Sequence, residues 1–253
     1  MTTKDLPQIP RRDQKPRNNG ITMVMDKGLS LRETEDMISV AGEYVDLVKF
    51  GFGTAMVTPN IKEKIAVLKD AGIKVYLGGT LFEAFIVRGM FTEFQKLIDK
   101  LGLDLVEVSD GTLEMVHADK CKYIKELAKQ VTVISEVGSK LAGVIIPNEK
   151  WVSMMQDELK AGSWKVIAEA REGGNIGIYN QDHSANTELI DCISKSISMD
   201  NVIWEAPLKN QQAWFIKLMG ANVNLGNIAP NEVIALEALR VGLRGDTFFQ
   251  FLK

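Results

Sequence analysis

The chain has 253 residues, 45% of them hydrophobic and 25% charged, with a formal net charge of −3. This suits a soluble globular protein with a sizeable core. Scattered basic residues argue against a nucleic-acid partner, and no apolar stretch approaches the ~20 residues that span a bilayer.

Residues 1–19 form a polar, proline-containing arm with no apolar signal region. Residues 20–253 then alternate strand-like and helix-like segments. The first strand is expected at Ile21–Asp26, followed by a helix from Ser30 to Gly42, where Ser30 and Glu33 have capping-box spacing. The second strand is Val45–Phe50, and Pro59–Asn60 open a helix closed by Gly72. Strand three is Lys74–Leu77, with one helix across Phe82–Lys100. Strand four is Leu105–Val108, with a helix across Ala118–Gln130, and strand five is Val131–Glu136. A helix across Glu149–Ala161 precedes strand six, Lys165–Ala168. A glycine-rich loop leads to a helix from Asn186. Strand seven is Val202–Glu205, with a helix across Gln211–Met219. Strand eight is Asn222–Leu225, and Pro230–Asn231 start the last helix.

Eight short, apolar strands, each followed by a helix, predict a single-domain α/β fold, a (β/α)8 TIM barrel, over residues 20–253. A doubly wound sheet is the competitor, but the loop after strand one lacks GxGxxG. Cys121 and Cys192 fall in predicted helices with no partner spacing, so free thiols in a reducing cytoplasm are expected.

Six strands end in charge: Asp26, Lys49, Glu107, Glu136, Glu169 and Glu205. Such charge is costly unless the ends converge on something that uses it. In a barrel they would ring the C-terminal mouth, where active sites lie. Several carboxylates around one cavity call for a cation, and magnesium suits a site that also holds substrate oxygens. Asp26, Glu107, Glu169 and Glu205 are the metal-ligand candidates. The alternative is a salt-bridge network that only seals the barrel top.

Lys49 among acids stays protonated and can bind an anionic substrate; a Schiff-base aldolase is the competing role. Lys140 follows Glu136 on a loop, where a lysine can deliver a proton. Arg171, Gly173 and Gly174 form a loop suited to an oxyanion. Asn224 and Asn227 close strand eight, where barrels often bind phosphate; turn chemistry and N-capping are the alternative. His117 and His183 have no metal-ligand spacing and read as surface residues.

The ordered motifs DKG (26–28), VKFGFGT (48–54), GGTLFE (78–83), EVSDG (107–111), EVG (136–138), EARE (169–172), EAP (205–207), NLGNIAPNEV (224–233) and GLRGDT (242–247) resemble the phosphosulfolactate synthase family, which includes plant heat-stress-associated relatives. The resemblance implies a (β/α)8 barrel and a magnesium-dependent lyase adding sulfite to phosphoenolpyruvate, in coenzyme M or sulfolactate biosynthesis. It implies Lys140 as the general acid; Lys49 and Glu136 are the other catalytic candidates. The chain departs from the family pattern at Ser139 and at Gly173–Gly174. A barrel with a stress-protective role and little catalysis is the reading of another class. The oligomeric state stays open, a homo-oligomer included.

Overall fold

The computed structural model describes residues 6–139, 146–171 and 173–252. Strands β1 (Thr22–Asp26), β2 (Leu47–Phe50), β3 (Lys74–Leu77), β4 (Leu105–Val108), β5 (Thr132–Val137), β6 (Ser163–Ala168), β7 (Val202–Glu205) and β8 (Leu225–Ile228) are parallel. The helices between them are α1 (Leu31–Ala41), α2 (Ile61–Asp70), α3 (Gly79–Ile86), α4 (Phe91–Leu101), α5 (His117–Leu127), α6 (Asn148–Ala161), α7 (Thr187–Ser196), α8 (Lys209–Met219) and α9 (Val233–Arg240). Pairing runs β3-β2-β1-β8-β7-β6-β5-β4, so the sheet curls into a (β/α)8 barrel with its seam between β3 and β4.

The seam is bridged by side chains and loop backbone. Gly79 N–H donates to Glu107 Oε1 at 2.6 Å, Thr112 N–H donates to Glu83 Oε2 at 2.9 Å, and the Ser109 hydroxyl donates to Glu83. Gly79 has to be glycine, because a Cβ there would collide with Ser109 and Glu107.

Apolar side chains pack in two places. One set fills the space between barrel and helices, including Val24, Val48, Val106, Val166 and Trp204. The other fills the barrel interior: Ile21, Met23, Leu47, Tyr76, Leu105, Ile134, Ile167 and Ile203. Each strand is thus buried on both faces, which explains the near-continuous apolar runs. The arm lies across the N-terminal end of the barrel. Arg12 pairs with Glu237 at 2.9 Å, Arg17 with Asp46 at 3.0 Å, and Asn18 O accepts from Lys165 Nζ at 2.9 Å.

Two expected elements are corrected. The single helix over Phe82–Lys100 is two helices, α3 and α4, because Gly89 adopts φ +68° and ends the first. Strand eight starts at Leu225, three residues later than expected. Residues Leu225 to Ile228 face Thr22 to Val24 through a register shift, and Asn227 takes φ +57° within this bulge.

The second correction moves Asn224 to the opposite end of the barrel from the mouth. Its Oδ1 accepts from Ile21 N–H at 3.0 Å, and its Nδ2 donates to Val202 O at 3.1 Å. These bonds tie the starts of β1 and β7 together. Asn224→Ala is expected to cost about 2 kcal/mol by leaving a buried backbone donor unsatisfied. Urea unfolding should show that loss while kcat/KM stays within about twofold, since the mouth is untouched.

A charged cavity at the barrel mouth

Five of the six strand-end charges converge. Lys49 lies two residues beyond Leu47, Glu107 beyond Leu105, Glu136 beyond Ile134, Glu169 beyond Ile167 and Glu205 beyond Ile203. Residues two apart on a strand share a face, so the apolar interior is capped by a charged layer. Above it opens a cavity of about 280 Å³ lined by Lys49, Glu107, Glu136, Glu169, Arg171 and Glu205. Met25, Phe52, Thr80 and Asn227 also line it.

Asp26 is the exception and corrects the expected ligand set. It follows Met25, an inward residue, and so points outward. Its Oδ2 pairs with the buried Lys64 Nζ at 2.5 Å, and its Oδ1 accepts from the N–H groups of Gly28 and Leu29 at 2.7 and 2.8 Å. Asp26 holds the β1–α1 loop to α2 and is absent from the cavity wall.

Lys49 is the hub. Its Nζ lies 3.1 Å from Glu107 Oε2, 3.3 Å from Glu136 Oε2 and 3.2 Å from Glu205 Oε1. Burial acts to lower its pKa, but Glu107, Glu205 and Glu136 outweigh burial and raise it well above the ordinary lysine value. A lysine so held is an ammonium, not the neutral amine that Schiff-base chemistry needs. Burial likewise pushes Glu205 up to about 7; Lys49 and the Ala170 N–H oppose this, while Glu136 adds to it. Both groups therefore favour their protonated forms. Among the described residues, Glu107, Glu136, Glu169 and Glu205 line the cavity together with the buried ammonium of Lys49.

Glu136, Glu169 and Glu205 each offer a carboxylate oxygen, and these oxygens lie within 4.8 Å of one another. Hard carboxylate oxygens grouped this closely fit a divalent cation of the magnesium type. Glu107 stands apart from this trio, facing Gly79 N–H and Lys49. Glu136, expected among the catalytic candidates, joins this trio.

Arg171 is exposed at the rim and has no side-chain partner among the described residues. Gly173 is exposed beside it. The Gly174 N–H already donates to Arg171 O at 2.7 Å, and Gly174 O accepts from Gln211 Nε2 at 2.8 Å, so its amide is not available as an anion donor. Asn227 does reach the site. Its Nδ2 donates to Ala170 O at 3.2 Å, while its buried Oδ1 has no hydrogen-bond partner among the described residues. Lys140 lies outside the described residues.

His183 is exposed, whereas His117 is half-buried and its Nε2 sits 3.1 Å from Glu158. Glu158 also pairs with Lys120 at 2.8 Å, and Lys120 donates to Glu136 O at 2.6 Å. Sequence reasoning passed over Lys64 and Lys120, two fully buried lysines that hold the loops behind the mouth. Nothing in a helical Lys marks it as buried before its carboxylate is known. The GGT after strand three was noticeable, but its role became visible only once Gly79 met Glu107.

The family model described as (2R)-phospho-3-sulfolactate synthase (ComA) matches residues 10–246. The chain belongs to this family. The phosphosulfolactate synthase of Bacillus subtilis is 40% identical over 245 residues, covering 96% of this chain and 97% of that protein. The phosphosulfolactate synthase of Methanocaldococcus jannaschii is 43% identical over 235 residues, covering 90% and 94%. Membership in the phosphosulfolactate synthase family makes the chain an enzyme by kinship. Among solved structures, 3-hexulose-6-phosphate synthase from Salmonella typhimurium superposes with a TM-score of 0.55 at 13% identity, over 88% of this chain and all of that one. That likeness concerns the barrel alone. Among the described residues, no helix is long and apolar enough to cross a membrane.

Proposed function

We propose that this barrel is a phosphosulfolactate synthase that joins sulfite to phosphoenolpyruvate, with magnesium as its cofactor. The observation that carries the reading is Lys49, held as an ammonium by three carboxylates beneath the cavity in a chain of this family. Both substrates are anions, so a buried cation at the cavity floor offsets their repulsion.

The sulfur lone pair of sulfite forms a bond to C3 of phosphoenolpyruvate. The C2–C3 π electrons move toward the carboxylate, giving an aci-carboxylate, and a proton then arrives at C2. Lys49 stabilises the charge that builds on the carboxylate. Arg171, at the rim, meets a phosphate or sulfite oxygen as they enter. Asn227 Oδ1 accepts a hydrogen bond from within the cavity. Lys140, following the family motif, delivers the proton to C2.

Glu136, Glu169 and Glu205 are the residues to hold magnesium, which when bound supplies electrostatic stabilisation worth several kcal/mol. The lyase assignment follows from the reaction. The aldolase reading is disfavoured because Lys49 is protonated. The test is direct: purified protein mixed with phosphoenolpyruvate, sulfite and magnesium should yield a three-carbon phosphosulfonate by mass spectrometry. No sulfonate at any magnesium concentration would refute the reading.

A further inference from the structure

The apolar cluster that fills the barrel interior below the charged layer contains one hydroxyl. Tyr76 on β3 is fully buried among Met23, Leu47, Leu105, Ile134, Ile167 and Ile203. It is the register partner of Lys49. Its phenol oxygen is buried and has no hydrogen-bond partner among the described residues.

A phenylalanine would fill this space equally well. An unmet buried hydroxyl costs about 1–3 kcal/mol, and such departures from packing rules gather at functional sites. Burial first, then Glu107, pushes the phenol well above its ordinary pKa, so it remains a neutral donor. Glu107, Lys49, Glu205 and Glu136 all act on it electrostatically. A donor with no acceptor among the described residues thus sits on the strand next to a lysine shared among three acids. When an anionic substrate draws Lys49 away, one buried carboxylate loses a charged partner, which is costly in a low-dielectric site.

We propose that Tyr76 is a positioning residue whose hydroxyl donates to the carboxylate that Lys49 releases, freeing Lys49 to bind substrate. This rests on the phosphosulfolactate synthase reading of the same site. It predicts a change in binding, not in packing.

Tyr76→Phe removes the hydroxyl and keeps the ring. With the full chain, magnesium and sulfite, KM for phosphoenolpyruvate should rise about tenfold, a single hydrogen bond's worth. The thermal midpoint should stay level or rise, because an unmet polar atom is gone. A merely structural hydroxyl would lower the midpoint and leave KM alone. A KM within about twofold of wild type overturns the inference, whatever happens to the midpoint. If wild type itself forms no sulfonate, the reading and the inference fall together. An active wild type with an unchanged Tyr76→Phe removes only the inference.

Discussion

Glu205→Gln should weaken magnesium binding by about a hundredfold or more, the loss of one charged ligand from a three-carboxylate set (~3 kcal/mol). Glutamine keeps the shape and can still accept from Ala170 N–H, which now bonds Glu205 Oε2 at 2.8 Å. It removes only the charge. In wild type, magnesium competes with the proton that Glu205 retains up to about pH 7. The magnesium-induced rise in thermal midpoint should therefore grow between pH 6 and pH 8 in wild type and stay flat in Glu205→Gln.

The metal-free protein should show the opposite slope. A carboxyl with a folded-state pKa raised to about 7 contributes stability that is full below its ordinary value near 4.5. That contribution is lost as pH rises through 7. Glu205→Gln should abolish that part of the slope and be the more stable protein at pH 8 without metal. Thermal melts at both pH values, with and without magnesium, check all four corners. An unchanged magnesium response would place the cation elsewhere.

Lys49→Met should lower kcat/KM by about 10³-fold, the scale of losing a preorganised charge opposite the developing anion. It also strands Glu107, Glu136 and Glu205, each within 3.3 Å of Nζ in the wild type. Breaking such a buried pair costs about 3–5 kcal/mol at neutral pH. The stranded acids can then take up protons more readily, so the deficit relative to wild type should shrink toward pH 5. Denaturation across that pH range, together with steady-state rates, separates the two effects. A Lys49→Met protein with near-normal turnover would mean that Lys49 only seals the barrel.

The barrel was legible because each strand is a short apolar run and some helices carry clear start signals. Ser30 and Glu33 do form the reciprocal capping box, and Asn186 does cap α7. The break at Gly89 was missed because a glycine inside an apolar helical pattern does not announce a left-handed turn. Strand eight was misplaced because a bulge with φ +57° at Asn227 cannot be read from the motif NVNLGNIAP.

The candidate site divides along the same line. The sequence by itself determined that charges end the strands and that four of them are glutamates beside one lysine, Lys49. Only the tertiary structure decided which way each points. Thr22, Val24 and Asp26 and the alternating Met23 and Met25 are all buried, so no polar face showed that Asp26 leaves the cavity. Asn224 and Asn227 look alike in the sequence, yet one ties the floor of the barrel and the other lines its mouth. The reason is physical: strands buried on both faces lose the polar alternation that reports orientation. Closure of the ring then assigns each side chain to the cavity or to the helices.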